Sequence, residues 1–153
     1  MRIELQGEKP LFVATCYFPH SSKTKLHAKA WDEIETGVAE FKHIGHVVVS
    51  GDFNAHAGCN GDTLTDTAGR LLRARAGTDG MGLHILNDHP ECKGMFTREV
   101  TFSDGTAQQT TIDYVFVSPS LLPFVEKMEI CSDKLGSDHK PILLHLRGLH
   151  PTK

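Results

Sequence analysis

Short apolar runs separated by polar turns dominate the pattern of the chain. The central run consists of the three valines at positions 47–49. A strand with one face in water would alternate apolar and polar residues, so three successive β-branched residues predict a strand that is covered on both faces. Further strands are predicted over residues 11–17, 83–86, 94–100, 110–117, 125–130 and 142–146.

Two segments between these strands have helical spacing instead. The first begins at a capping serine, Ser21 or Ser22, and runs to about residue 43. Its predicted core face consists of apolar residues at steps of four and three, namely Leu26, Ala30, Ile34, Val38 and Phe41. The second covers residues 66 to about 78 and presents Leu71, Leu72 and Ala76. The order β-α-β-α followed by several strands predicts an α/β or α+β domain with its helices on one side of a sheet.

Composition agrees with one globular domain and excludes several classes of protein. The 153 residues are 39% hydrophobic and 23% charged, which are ordinary values. The net charge of −3 argues against a uniformly basic surface that coats nucleic acid, although it permits a local basic patch. No apolar run is long enough to span a bilayer and no secretory signal is present, so we expect an intracellular location, nuclear or cytoplasmic. Neither a zinc site nor a disulfide framework is predicted from the spacing of the cysteines, Cys16, Cys59, Cys92 and Cys131.

Polar residues of complementary chemistry stand at the ends of several predicted strands. Gly51-Asp52-Phe53-Asn54 follows the valine strand directly, and it is either an ordinary turn or a place where a carboxylate and a carboxamide meet a ligand. Asp113 lies inside an apolar strand, where it requires a partner because an unpaired buried charge is very costly. Tyr17 ends the first strand, and Asp138 and His139 enter the last one. This distribution indicates a convergent site.

Four short segments, taken in order, resemble successive motifs of the endonuclease/exonuclease/phosphatase superfamily, which is also called DNase I-like. They are Cys16-Tyr17-Phe18-Pro19, Gly51-Asp52-Phe53-Asn54, Ile112-Asp113-Tyr114-Val115-Phe116 and Ser137-Asp138-His139-Lys140-Pro141. Among the branches of the superfamily, the combination is most similar to the endonuclease domains of non-LTR retrotransposons and their domesticated relatives. Inositol phosphatases share a Ser-Asp-His-Lys-Pro segment but carry Trp-Cys-Asp-Arg where this chain has Thr111-Ile112-Asp113-Tyr114. Sphingomyelinases and deadenylases stay open as alternatives.

The resemblance implies a role for each residue of a phosphodiester-cleaving site. Asp52 would orient or deprotonate the attacking water, and Asn54 would hold that water or a phosphate oxygen. His139 would hydrogen-bond the phosphate while Asp113 accepts the other ring N–H. Tyr17 would donate a hydrogen bond to the phosphate.

The same resemblance implies a metal ion. Asp138 would help to hold Mg²⁺, or alternatively Mn²⁺, because hard divalent cations prefer carboxylate oxygens. Members of the superfamily carry an asparagine motif and the main metal ligand, a glutamate, upstream of the tyrosine strand. The chain starts almost at that strand, and neither Glu4 nor Glu8 lies in a recognisable version of the glutamate motif. We therefore expect Mg²⁺ to bind poorly.

The implied fold is part of a DNase I-like four-layer β-sandwich flanked by helices. Its class is α/β, or α+β, and residues 1–153 would form a single partial domain whose N-terminal part is missing. One sheet would then be incomplete and would leave apolar surface bare. Three explanations stay open: the chain is a truncated copy of the domain, it is a fragment of a longer protein, or this surface is covered by a partner, either a second copy of the chain or a complementing chain.

The implied function is that of a metal-dependent phosphodiesterase, an endonuclease that nicks DNA by in-line attack of water, with activity impaired by loss of the metal-ligand segment. Two alternatives stay open: a catalytically inactive remnant that binds nucleic acid or protein, and a phosphomonoesterase. We expect a nucleic-acid partner, DNA rather than RNA, and no membrane partner. Sequence preference is expected to reside in the loops over residues 55–63 and 102–109.

Overall fold

The computed structural model describes residues 1–20, 22–59, 64–90, 96–133 and 136–152. Ser21, Cys92, the end of the loop over 55–63 and the start of the strand predicted over 94–100 lie outside these residues. In chain order the elements are β1 (Arg2–Ile3), β2 (Leu11–Tyr17), α1 (Thr24–Phe41), β3 (His46–Asp52), α2 (Thr67–Ala76), β4 (His84–Ile85), β5 (Arg98–Thr101), β6 (Ala107–Thr110), β7 (Asp113–Val117), β8 (Val125–Ile130) and β9 (Ile142–Leu146). Short 3₁₀ helices cover Leu86–Asp88 and Leu122–Phe124. None of the helices in the described ranges is long and apolar enough to cross a membrane.

A five-stranded sheet in the order β1-β2-β3-β7-β4 forms the centre of the fold. Strand β3 pairs with β2 in parallel and with β7 in antiparallel orientation. Its three valines are buried and alternate in direction. Val47 and Val49 join the cluster of side chains beneath the helices, whereas Val48 joins the cluster beneath the β8–β9 pair. The prediction that this strand is covered on both faces is confirmed.

Helices α1 and α2 cover one face of the sheet, as the order of elements predicted. Phe18 stacks on Phe53 with ring centroids 4.7 Å apart, and the ring of Trp31 lies 4.6 Å from that of Phe18. The predicted face of α1 was wrong in its first turn, because Leu26 is 57% exposed whereas Trp31 is 1% exposed. The large buried area of the indole turns the helix so that residues 27, 31, 34, 38 and 41 face the core. The predicted serine cap was also wrong, since α1 begins after Lys23 without a capping side chain.

The β8–β9 pair packs over the other face of the sheet. Its apolar side chains cluster with Val48, Val115 and Val117. A cavity of about 420 Å³ remains between the two sheets, and it is lined mainly by apolar residues but also by Asp113 and Lys140. The described residues therefore form three layers: the helices, the five-stranded sheet and the two-stranded sheet of β8 and β9.

Two sequence-based boundaries around β6 were wrong for a local reason. The apolar run over 110–117 is two strands rather than one, since β6 ends and β7 begins within it. Between them, the Thr97 hydroxyl accepts hydrogen bonds from the N–H groups of Ile112 and Asp113, each at 3.1 Å. These bonds replace ladder bonds where the chain leaves one sheet for the next. Residues 107–109, predicted as loop, belong to β6 and pair with β5.

The phenol of Tyr114 yields a prediction about stability. Its oxygen is buried, accepts the Ala57 N–H at 3.0 Å, and lies 2.9 and 2.8 Å from the carbonyl oxygens of Ala55 and Thr111. Tyr114→Phe removes this shared partner, so we expect the free energy of unfolding to fall by roughly 1–3 kcal/mol in urea titrations. The matched control is Tyr17→Phe, at the only other tyrosine of the chain, which is 70% exposed. Its effect should stay below about 0.5 kcal/mol, and equal effects at both positions would contradict the role of Tyr114.

Candidate active site

The central strands place three polar residues in one row across the sheet. Asp52 is the last residue of β3, and its Cα partners are Tyr17 at the end of β2 and Asp113 at the start of β7. Gly51 permits this register. It has φ +149°, and a Cβ at this position would lie 1.9 Å from the carbonyl oxygen of Cys16. Only glycine fits so close an approach of two backbones, so this residue determines how near β2 lies to the Asp52 carboxylate.

Asn54 shapes the loop that follows β3. Its backbone has φ +46°, a left-handed conformation that asparagine tolerates better than most residues. The Asn54 N–H donates to Asp52 Oδ1 at 2.8 Å, and Asn54 Nδ2 donates to the Phe18 carbonyl oxygen at 2.8 Å. Gly51 and Asp52 therefore end β3, and Asn54 after them fixes the direction of the Asp52 carboxylate.

Asp113 holds the ring of His139 in one orientation. Nδ1 of the ring lies 3.0 Å from each oxygen of the Asp113 carboxylate, so this nitrogen carries the hydrogen and donates it. Nε2 lies 4.0 Å from Asp52 Oδ2 and 4.0 Å from Asp138 Oδ1. The ring therefore presents Nε2 to the space between two carboxylates.

The Asp113 carboxylate is stabilised by a residue that the sequence analysis missed. Burial raises the pKa of Asp113 above its ordinary value, while the hydrogen bond from the Thr97 hydroxyl and the charge and hydrogen bond of His139 act in the opposite direction. Thr97 is fully buried. The sequence did offer a signal for Thr97, which is a threonine at the start of a predicted strand. Once buried, its hydroxyl requires a hydrogen-bond partner.

Strand β5 positions the segment that carries Asp138 and His139. The Glu99 N–H donates to the Asp138 carbonyl oxygen at 2.8 Å, and Arg98 forms a β-bridge with His139. The Arg98 side chain also donates from Nε to Asp138 Oδ2 at 2.7 Å. Desolvation raises the pKa of Asp138, but the hydrogen bond and the charge of Arg98 outweigh it and hold that pKa below its ordinary value. Arg98 was not predicted, since nothing local to the sequence links it to a residue forty positions away.

A divalent cation fits part of this site. Asp52, Asp113 and His139 each offer one ligand atom, and these atoms lie within 4.8 Å of one another. Two carboxylates and an imidazole suit Mn²⁺ and similar ions better than Mg²⁺, which prefers oxygen ligands alone. Asp138, the residue predicted to hold the metal, is not a member of this group of three. Its role as a metal ligand stays a prediction.

The two residues at the end of β2 complete the site. Tyr17 is exposed beside Asp52, in line with a role at the rim. Burial, with the charge of Asp52, raises the pKa of the Cys16 thiol to about 12, so this thiol stays protonated and is not a nucleophile at neutral pH. The structure thus brings all six predicted site residues to one edge of the sheet: Tyr17, Asp52, Asn54, Asp113, Asp138 and His139.

A comparison with known protein families decides which family this is. The model described as endonuclease-reverse transcriptase matches residues 11–143, from the first residue of β2 into β9. The chain belongs to this family. The resemblance to the DNase I-like superfamily and its retrotransposon endonucleases, and the DNase I-like fold that it implied, are confirmed.

The relatives of this endonuclease-reverse transcriptase family member match it over different fractions of its length. DNA-(apurinic or apyrimidinic site) endonuclease 2 of Schizosaccharomyces pombe is 43% identical over 61 residues, which is 39% of this chain and 12% of that protein. Among solved structures, the catalytic domain of Xenopus laevis APE2 gives a TM-score of 0.74 at 23% identity, over 98% of this chain and 54% of that one. The endonuclease domain of TRAS1, a telomere-specific non-LTR retrotransposon, gives 0.63 at 21% identity, over 95% of this chain and 61% of that one. The family member therefore shares a fold with chains of which it spans only part.

The close approach of Gly51 to the backbone of β2 predicts that adding one methyl group at this position lowers stability strongly. We expect Gly51→Ala to lower the free energy of unfolding by roughly 2–4 kcal/mol, because the new Cβ would overlap the carbonyl group of Cys16. The matched control is Gly37→Ala in α1, where a Cβ meets nothing within 4 Å and should raise stability by about 0.5–1 kcal/mol. Urea unfolding measures both. A Gly51→Ala variant as stable as the native chain would show that the close approach is not a constraint.

Proposed function

We propose that this family member is a metal-dependent phosphodiesterase that nicks DNA. The observation that carries the proposal is the geometry at His139, whose Nδ1 is held by Asp113 and whose Nε2 faces Asp52 at 4.0 Å. One bound oxygen atom can contact both groups across that distance. The family description and the names of the relatives, which include an endonuclease of DNA abasic sites and a retrotransposon endonuclease, favour DNA as the substrate.

The side chains at the site have separate roles in the proposed in-line hydrolysis. Asp52 is oriented by the Asn54 N–H and is the carboxylate available to accept a proton from the attacking water. His139 donates from Nε2 to a phosphate oxygen, and the Asp113 carboxylate orients the ring for this by accepting the hydrogen bond of Nδ1. Tyr17, at the rim, donates its hydroxyl to the same phosphate group. The β2, β3 and β7 register provides the positions of Tyr17, Asp52 and Asp113, and the bridge to Arg98 provides that of His139.

We infer that a divalent cation takes part. Asp52 and Asp113 would hold it through carboxylate oxygens, while His139 next to them donates from Nε2 to the phosphate. When bound, the cation supplies positive charge to balance the charge that grows on the phosphoryl oxygens.

The β5–β6 hairpin is the proposed contact with DNA beyond the scissile phosphate. Phe102, between its strands, is 49% exposed, and the bridge between Arg98 and His139 fixes the hairpin relative to the site. An exposed aromatic ring can stack on a base or insert between base steps. By contrast, Ala55 and Ala57 of the other loop predicted to select DNA are buried, so that part of the loop is core rather than contact surface.

The proposal predicts that nicking of supercoiled plasmid depends on both a divalent ion and the site. We expect Asp52→Ala and His139→Ala each to lower the rate of nicking by at least about 100-fold, because each removes a proton acceptor or a charge partner of the reacting phosphate. Gel conversion of supercoiled to open-circular plasmid, with and without Mn²⁺ or Mg²⁺, measures the rate.

Matched controls are Asp79→Ala and His43→Ala, at exposed positions outside the site, and both should leave the rate unchanged. If the native chain nicks no faster than Asp52→Ala and His139→Ala, it is not a nuclease, and a role as a binding module takes its place.

We also propose that a second copy of the chain pairs with the open edge of the second sheet. Strands β8 and β9 form a sheet of two strands, and such a sheet is marginally stable alone. On β9, Leu143 is 49% exposed, while Ile142 and Leu144 line the cavity between the sheets. An edge strand with apolar side chains is a template for pairing, and a two-fold pairing of β9 with its copy would give a four-stranded sheet.

Sedimentation equilibrium over a range of concentrations tests this pairing. We expect a dimer, and we expect Leu143→Lys to weaken it about tenfold or more, because two like charges would face each other across the two-fold axis. Leu26→Lys, at a 57% exposed leucine on α1, is the matched control and should leave the dimer intact. A monomer at every concentration would overturn the proposal and leave a complementing chain as the occupant.

A further inference from the structure

Asp138 already has a cationic partner in this chain. Arg98 Nε lies 2.7 Å from Asp138 Oδ2, and the two side chains are 34% and 45% exposed. The other oxygen of the carboxylate, Oδ1, lies 4.0 Å from His139 Nε2. The carboxylate therefore stands between a guanidinium group and the ring nitrogen that faces the candidate phosphate site.

The backbone makes this pairing the default state of the segment. Arg98 and His139 are bridge partners, and the Glu99 N–H donates to the Asp138 carbonyl oxygen at 2.8 Å. The neighbouring cation, Lys140, is directed elsewhere, with Nζ 3.6 Å from Glu99 Oε2. Arg98 is thus the cation that the local strand geometry delivers to Asp138.

The charges around His139 indicate the effect of the ion pair between Arg98 and Asp138. Three carboxylates, those of Asp52, Asp113 and Asp138, surround the ring of His139 within 4.0 Å. Like charges at this separation repel, and a positive group nearby lowers that cost. A cation that takes Asp138 Oδ2 must displace the Arg98 hydrogen bond, and a cation on either oxygen must approach a guanidinium of the same sign.

We propose that Arg98 and a divalent cation compete for the Asp138 carboxylate. Arg98 is then a positioning residue that holds Asp138 in the place of the ion and releases it when the ion binds. The proposal deepens the proposed function, on which it rests for the relevance of the metal. Its test measures equilibrium binding, so that it can fail while nicking is observed and can succeed while nicking is not.

The experiment uses Mn²⁺ as the probe, with the free ion measured by electron paramagnetic resonance during titration of the intact chain. We expect Arg98→Met to bind Mn²⁺ about three- to tenfold more tightly than the native chain, because the competing ion pair and the like charge are both removed. Arg147→Met, at an exposed arginine beyond the far end of β9, is the matched control and should bind as the native chain does.

A second background separates competition from general charge removal. In Asp138→Asn, replacing Arg98 with Met should tighten Mn²⁺ binding by less than about twofold, since the contested carboxylate is absent. Circular dichroism confirms that each variant is folded. Equal affinity of the native chain and Arg98→Met, undetectable binding to Arg98→Met, or full tightening in the Asp138→Asn background would each overturn the proposal.

Discussion

The contact between the backbones of β2 and β3 at Gly51 is the constraint on which the rest of the site depends. Because a Cβ cannot be placed there, the two strands approach closely enough to align Tyr17 with Asp52. The antiparallel pairing of β3 with β7 then sets Asp113 on the other side of Asp52. A shift of one residue in either ladder would turn these side chains to the opposite face of the sheet. The position of the carboxylates is therefore a consequence of packing in the core strands.

Packing also explains why the carboxylates tolerate one another. Asp113 is desolvated, yet it accepts hydrogen bonds from the Thr97 hydroxyl and from His139 Nδ1. A buried carboxylate with such partners is stable where an isolated one is not. The carboxylate of Asp138, which lies nearer to solvent, is stabilised instead by its ion pair with Arg98. Two acids beside one imidazole are thus stabilised by different means, hydrogen bonds in one case and a formal charge in the other.

Much of this arrangement follows from local patterns in the sequence, and the remainder does not. The bounds of β2, β8 and β9 agree with the predicted strands, and for β2 and β9 the signal was a run of mainly apolar residues. The face of α1 was misjudged because regular aliphatic spacing at Leu26 competed with one large ring, Trp31. Thr97 and Arg98 were missed because their partners lie on other strands, and pairing across sheets leaves no periodic signal along the chain.

The cavity between the sheets connects assembly to acid–base chemistry. Asp113 and Lys140 line it together with the apolar side chains of β9, so whatever fills the cavity contacts the partner of His139. Filling it with apolar groups removes solvent from Asp113, which raises the pKa of that carboxyl further and at the same time strengthens its attraction to the ring. The two effects oppose each other, and Thr97 and His139 already supply hydrogen bonds to the Asp113 carboxylate. The proposed pairing of the second sheet would therefore act on the site through the solvation of Asp113.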